Sequence, residues 1–156
     1  MTFVSNHRTD LIKGGPPDSC RDTLLPPFAN MERFSELIEN TLSYISTTSS
    51  AIARFVRSVR SAHADLSSVA RALSDLRLIL ELLRDERGIP SPIQLQGLVL
   101  LDTCGETLVR IDVLLAQYPG VADWTSADCR DDVLRQQAKV GVFHKALALV
   151  LEVVTL

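Results

Sequence analysis

Three histidines, three cysteines and a run of aspartates are the chemically capable residues of this 156-residue chain, and their spacing works against chemistry. His7, His63 and His144 are far apart, and none forms the i, i+4 pair with which one helix holds a metal. Cys20, Cys104 and Cys129 contain no Cys-x-x-Cys, so a zinc site is not expected either. Cys104 sits beside Gly105 with no histidine next to it in sequence to activate a thiolate, which fits a small core residue better than a nucleophile. Asp128, Asp131 and Asp132 fall where a helix is expected to begin, and there they complement the helix dipole. Gly14-Gly15 precede no strand, and no Gly-Lys-Ser or Gly-Lys-Thr follows, so no phosphate-cradling loop is expected. The sequence therefore predicts no enzyme, no cofactor, no metal and no small-molecule substrate.

One cluster carries a possible contact with charged partners. No acidic residue occurs between Asn40 and Ala64, while Arg54, Arg57 and Arg60 recur at steps of three. At about 100° per residue, with Ile52 at zero, the arginines span an arc of about 80–200°, and Ile52, Phe55, Val56 and Val59 gather between about 300° and 40°. Such a basic amphipathic segment can lie on an anionic membrane or dock an acidic partner. The same pattern also describes a solvated face on a bundle helix, and both readings stay open.

These residues must be positioned by helices. The chain is 46% hydrophobic and only 5% aromatic, enough to bury one domain's core and better suited to close-packed helices than to a β-sandwich. A net charge of −3 gives no basic field for nucleic acid. The odd, scattered cysteines fit a reducing, cytoplasmic compartment, and the N-terminus lacks the order of a signal peptide. The apolar run Ala146–Leu156 contains Glu152 and covers 11 residues, roughly half of the ~20 that span a bilayer.

Residues 1–30, with two Pro-Pro pairs and a Gly-Gly, hold no sustained period and are expected to form a flexible tail; residues 31–156 form the domain. Phe34, Leu37, Ile38, Leu42, Ile45, Ile52, Phe55, Val56 and Val59 predict a first helix over about 31–62, with a kink or break at Ser46–Ser50. Leu66, Val69, Leu73, Leu76, Leu80 and Leu83 alternate steps of three and four and predict the core stripe of a second helix. A single rod through both would be about 85 Å long, so a bend is expected near Ala62–Ala64, with Asp65 as the new N-cap. Gly88, Pro90 and Pro92 end the second helix, and Ser91-Pro92 reads as N-cap and first position of a third. That helix points Leu98, Leu101, Leu108, Ile111 and Leu115 inward and closes at Pro119-Gly120. Ser126 or Asp128 then caps a fourth helix, with Val133, Val140, Phe143, Leu147, Val150 and Val154 on its apolar face. The expected fold is an all-α antiparallel bundle of about four helices. The last helix, apolar all round from Ala146 to Leu151, is of the kind that is central or continued by further structure.

The stretch Phe55 to Leu73, running into Leu76, Leu80, Glu81, Leu82 and Leu83, resembles the fungal N-terminal helical domain found at the head of STAND-type signalling proteins. The same family includes the azaphilone pigment cluster protein L N-terminal-like domains and is related to HeLo-like domains. Asp102-Thr103-Cys104-Gly105 with Leu108-Val109 looks like its third helix, and Trp124, Asp132-Val133 and His144-Lys145-Ala146-Leu147 look like its last segment, so the likeness covers about residues 34–156. Family members usually open on a short apolar helix, which the polar, proline-rich residues 1–30 do not provide. The resemblance implies a non-enzymatic signalling domain that self-associates or recruits protein partners. For HeLo-like relatives it also implies action at membranes, for which this chain offers the 52–63 segment, or else an accessory role in a secondary-metabolite cluster.

Overall fold

Pro27 opens the first helix, four residues before the periodic pattern begins. The computed structural model describes residues 27–117, 124 and 128–156, with side chains from Ala29 onward. Among these residues are four α-helices, one short 3-10 turn and no strand: α1 (Pro27–Ser58), the turn (Arg60–Ala62), α2 (His63–Asp85), α3 (Ser91–Gln117) and α4 (Asp128–Thr155). The fold is an all-α bundle. Proline suits the first turn of a helix, where its missing N–H is not needed, and Asn30 is already buried; the expected tail thus loses residues 27–30 to α1, and its remainder lies outside the described residues.

The serine and threonine run at 46–50 does not break α1. Ser46 donates its hydroxyl to the Leu42 carbonyl at 3.2 Å and Thr47 donates to the Ser43 carbonyl at 3.1 Å, one turn back along the helix. These bonds add to the backbone ladder instead of replacing it, and Ile45 and Ile52, both buried, hold the segment against the core on either side. Burial outweighs the weak propensity of the run.

A bend is present a few residues earlier than the expected position near Ala62–Ala64, since α1 already ends at Ser58. Val59 leaves helical geometry at φ −123°, ψ 85°, and the 3-10 turn Arg60–Ala62 follows. Neither glycine nor proline is needed, because Val59 and Ala62 are both buried and pin the corner from inside. Ala62, not Asp65, occupies the N-cap of α2, and Asp65 lies in its first turn. Along α2 the stripe Leu66, Val69, Leu73, Leu76 and Leu80 is wholly buried and Leu83 is 1% exposed. Gly88 then adopts φ +91°, a left-handed conformation costly for residues with a Cβ. Ser91 is the first residue of α3, one position earlier than its sequence suggests, and the Pro90 carbonyl accepts from the N–H groups of Ile93 and Gln94, each at 3.0 Å.

Cross-helix pairs give the topology. Arg84 reaches Glu39, so α1 and α2 are antiparallel partners, and the Cys129 thiol meets the Leu114 carbonyl where α4 begins and α3 ends. Between α1 and α3 the matches are Phe34 with Gly97 and Tyr44 with Gly105, both rising along the chain; Asp65 with Arg130 and Ser68 with Gln137 rise likewise between α2 and α4. Consecutive helices therefore run antiparallel, but the 86–90 connection crosses the diagonal of the bundle. Spatial neighbours α1 and α3 run parallel, as do α2 and α4, and among the described residues α2 does not pack on α3, nor α1 on α4.

The α1–α3 seam is the most extensive contact in the bundle. A methyl group on Gly97 would collide with the buried Phe34 ring, so glycine lets the two backbones approach at this end of the seam. Of the α3 residues expected to face inward, Leu101, Leu108, Ile111 and Leu115 are buried and Leu98 is partly so. On α4, Val133, Val140, Phe143 and Leu147 are buried, Val150 and Val154 partly. The helix is not central: Leu149 and Val153 are exposed.

Candidate functional site: the α1–α3 cleft

The three arginines border two different hollows. Arg54, Arg57 and Arg60 are all exposed, and among the described residues none pairs with a carboxylate within 4.0 Å. Arg57 and Arg60 line a surface hollow with Val56 and His63. Arg54 belongs to a different one, a cleft of about 460 Å³ between α1 and α3, whose walls include Ala51, Phe55, Leu115 and Ala116. Phe55, Ile52 and Val59 are buried in the core, so the apolar side of the segment is committed to the bundle.

The cleft also takes in Asp112, on a half-buried position of α3 between Ile111 and Leu115. Burial pushes its carboxyl above the ordinary carboxylate value; the Thr48 hydroxyl beside it and the charge of Arg54 oppose that shift. The Thr48 and Asp112 groups do not close a well-formed hydrogen bond: Oγ1 of Thr48 and Oδ1 of Asp112 are both buried without a partner among the described residues. An unpaired polar atom in the interior costs about 1–3 kcal/mol, so such a pair is a feature to be explained. Asp112 and Thr48 are not evident from periodicity as functional positions. The available signal is a carboxylate flanked by Leu108, Ile111 and Leu115 on the buried side of a helix.

A second polar group at this end of the bundle is paired across helices. Trp124, wholly buried, donates its indole Nε1–H to Asp65 Oδ2 at 2.8 Å, and the Arg130 guanidinium donates to the same oxygen at 2.8 Å. The indole packs edge-on against Phe55 with ring centroids 5.4 Å apart. The Arg130 hydrogen bond, and after it that of Trp124, hold the Asp65 carboxyl below its ordinary value against the opposing effect of burial. Asp65 thus ties the first turn of α2 to α4 and to the connection before it.

The remaining candidates are dispersed. His63 is exposed at the start of α2 and His144 half-buried on α4, while His7 and Cys20 lie outside the described residues. Cys104 is fully buried and its thiol is pushed up to about 12 by burial; Cys129 is pushed up to about 11 by burial and by the charge of Asp132. Neither is a thiolate at neutral pH. Asp128 and Asp131 sit in the first turn of α4, and Asp132 pairs with Arg135 at 2.7 Å. No group of three or more metal-ligating side chains occurs among the described residues, and no described helix is long and apolar enough to cross a membrane. Comparison with known protein families, curated proteins and solved structures gives no match.

Proposed function

We propose that the chain is a non-enzymatic protein-interaction domain that works by helix packing and self-association, the signalling role implied by its resemblance to the N-terminal domains of fungal STAND-type proteins. The observation that carries this reading is the outer face of α4. Val142, Leu149 and Val153 are 64%, 62% and 58% exposed. They fall within about 40° of one another around the helix. Ala138 is exposed on the same face, Lys139 and Lys145 flank it, and from Ala138 to Val153 the strip itself carries no charge. An apolar strip with a charged rim is the usual form of a protein-contact surface.

Sedimentation equilibrium over a concentration series tests it. The expected result is reversible self-association that Leu149→Asp with Val153→Asp abolishes while the unfolding midpoint stays near wild type, since both side chains are already exposed. A monomer at every concentration, or a double variant that associates as wild type does, removes the support.

The hollow of Arg57, Arg60 and His63 favours a second reading, contact with an anionic membrane surface. Each arginine near such a surface contributes about 1 kcal/mol. Replacing Arg57 and Arg60 by Gln should therefore weaken sedimentation with anionic liposomes at low salt, and equal binding by the variant removes this reading.

A further inference from the structure

We infer that the α1–α3 cleft is a binding site for a small zwitterion with an apolar body, of the class of free apolar α-amino acids: Arg54 receives the carboxylate, Asp112 receives the ammonium, and the apolar part lies against Ala51, Phe55 and Leu115. This site is separate from the α4 strip and stands independently of the interaction role.

Three observations converge on it. The cleft holds about 460 Å³, within the ~300–1,000 Å³ of small-molecule sites, and its lining is mainly apolar with a few polar groups. Arg54 and Asp112 lie in the same cleft and sense each other's charge, yet they form no ion pair within 4.0 Å. One cation and one carboxylate that line the same apolar hollow without pairing are complementary to a ligand that carries both opposite charges. Asp112 is also the least satisfied carboxylate described, with Oδ1 buried and unpartnered beside the equally unpartnered Thr48 Oγ1. An ammonium group set against this carboxyl compensates its desolvation, which Thr48 and Arg54 on α1 do only in part.

The packing explains why the cleft persists. Gly97 and Phe34 bring the parallel helices into close contact at one end of the seam. Toward the other end, Ala51 and Ala116 are the small residues that face the opening, and their short side chains leave the hollow unfilled. A ligand there would touch α1 and α3 together without disturbing the α2 core.

Amide chemical-shift mapping of the whole chain tests the site, with L-phenylalanine and L-leucine as probes. Two one-charge controls, 3-phenylpropionate and phenethylamine, are titrated in parallel. At least one amino acid should shift the amides of Ala51, Phe55 and Leu115 saturably at about millimolar concentration, the affinity accessible to so few atoms. Each control should bind at least fivefold more weakly than L-phenylalanine. Arg54→Gln should lose at least fivefold for the amino acid and leave phenethylamine unchanged; Asp112→Asn should lose as much and leave 3-phenylpropionate unchanged. Thermal unfolding of both variants verifies that the bundle is intact, and Asn at 112 removes a desolvated carboxyl, so that variant keeps its fold. No saturable shift with either amino acid, controls that bind as tightly as L-phenylalanine, or variants that bind as wild type would each overturn the assignment.

Discussion

Asp65 and Asp112 lie toward the same end of the bundle, one on α2 and one on α3, in surroundings that differ mainly in what faces the carboxyl. Asp65 Oδ2 accepts from an indole N–H and from a guanidinium, both at 2.8 Å, and its carboxyl is held below the ordinary value. Asp112 meets a hydroxyl that does not close a bond and a guanidinium that stays beyond ion-pair distance, and its carboxyl is pushed upward. Burial acts in the same direction on both; the partners decide the outcome. A carboxylate whose acceptors are filled by its own fold is a structural tie. A carboxylate that the fold desolvates and leaves unfilled, in a cleft of ligand size, is free to serve something else.

The largest expected effect lies on the satisfied side. Trp124→Ala removes a wholly buried ring with its edge contact to Phe55 and should cost about 3–5 kcal/mol in urea denaturation. A midpoint unchanged from wild type would show that the Asp65 tie holds nothing. Leu76→Ala, in the α2 stripe away from either carboxylate, gives the reference for pure packing at about 2–5 kcal/mol. Asp65→Ala should cost about 1–3 kcal/mol by leaving the buried indole N–H without an acceptor. The pH dependence has a definite sign. Because the folded value of Asp65 is lowered, its contribution is present above the unfolded value of about 3.9 and is lost as pH falls through the folded value. Asp65→Asn should therefore flatten the acid limb of the stability profile below about pH 4, and an unaltered limb would place the acid-sensitive tie elsewhere.

Much of the fold is legible in the sequence, because periodicity reports burial directly. The alternation from Leu66 to Leu83 marks residues that are all buried, and Gly88 with Pro90 marks the turn. What escapes is whatever depends on pairing between distant segments. Ser46–Ser50 reads as a break until Ile45 and Ile52 are seen pinned on the core. Asp65 reads as a cap until Trp124 and Arg130, at separations of 59 and 65 residues, claim its oxygen. The helical spacing of Arg54, Arg57 and Arg60 does not tell that Arg54 borders the α1–α3 cleft while Arg57 and Arg60 line a second hollow. The parallel α1–α3 seam follows from a diagonal connection that five linking residues do not announce, and the cleft with Asp112 exists only because of that seam.

The smallest effect is the sharpest test of the comparison, because its sign is opposite. With a folded value raised by burial, Asp112 binds its proton more tightly in the native state than in the unfolded chain. Its contribution is therefore fully present below the unfolded value of about 3.9 and is lost as pH rises through the folded value, where the native state must ionise a desolvated group. Asp112→Asn keeps the shape, removes the ionisation and offers Thr48 an amide to bond. At pH 7 the variant should be at least as stable as wild type, with a gain of at most about 0.5 kcal/mol, the scale of substitutions away from a well-formed network. The gain should shrink as pH is lowered and wild-type Asp112 takes up its own proton. Paired urea denaturations at pH 7 and pH 4 measure this directly. A loss of more than about 1 kcal/mol at pH 7 would mean that the Asp112 carboxylate already has its partner within the fold, as Asp65 does. The contrast between the two carboxylates would then vanish, and with it the reason to expect an ammonium in the cleft.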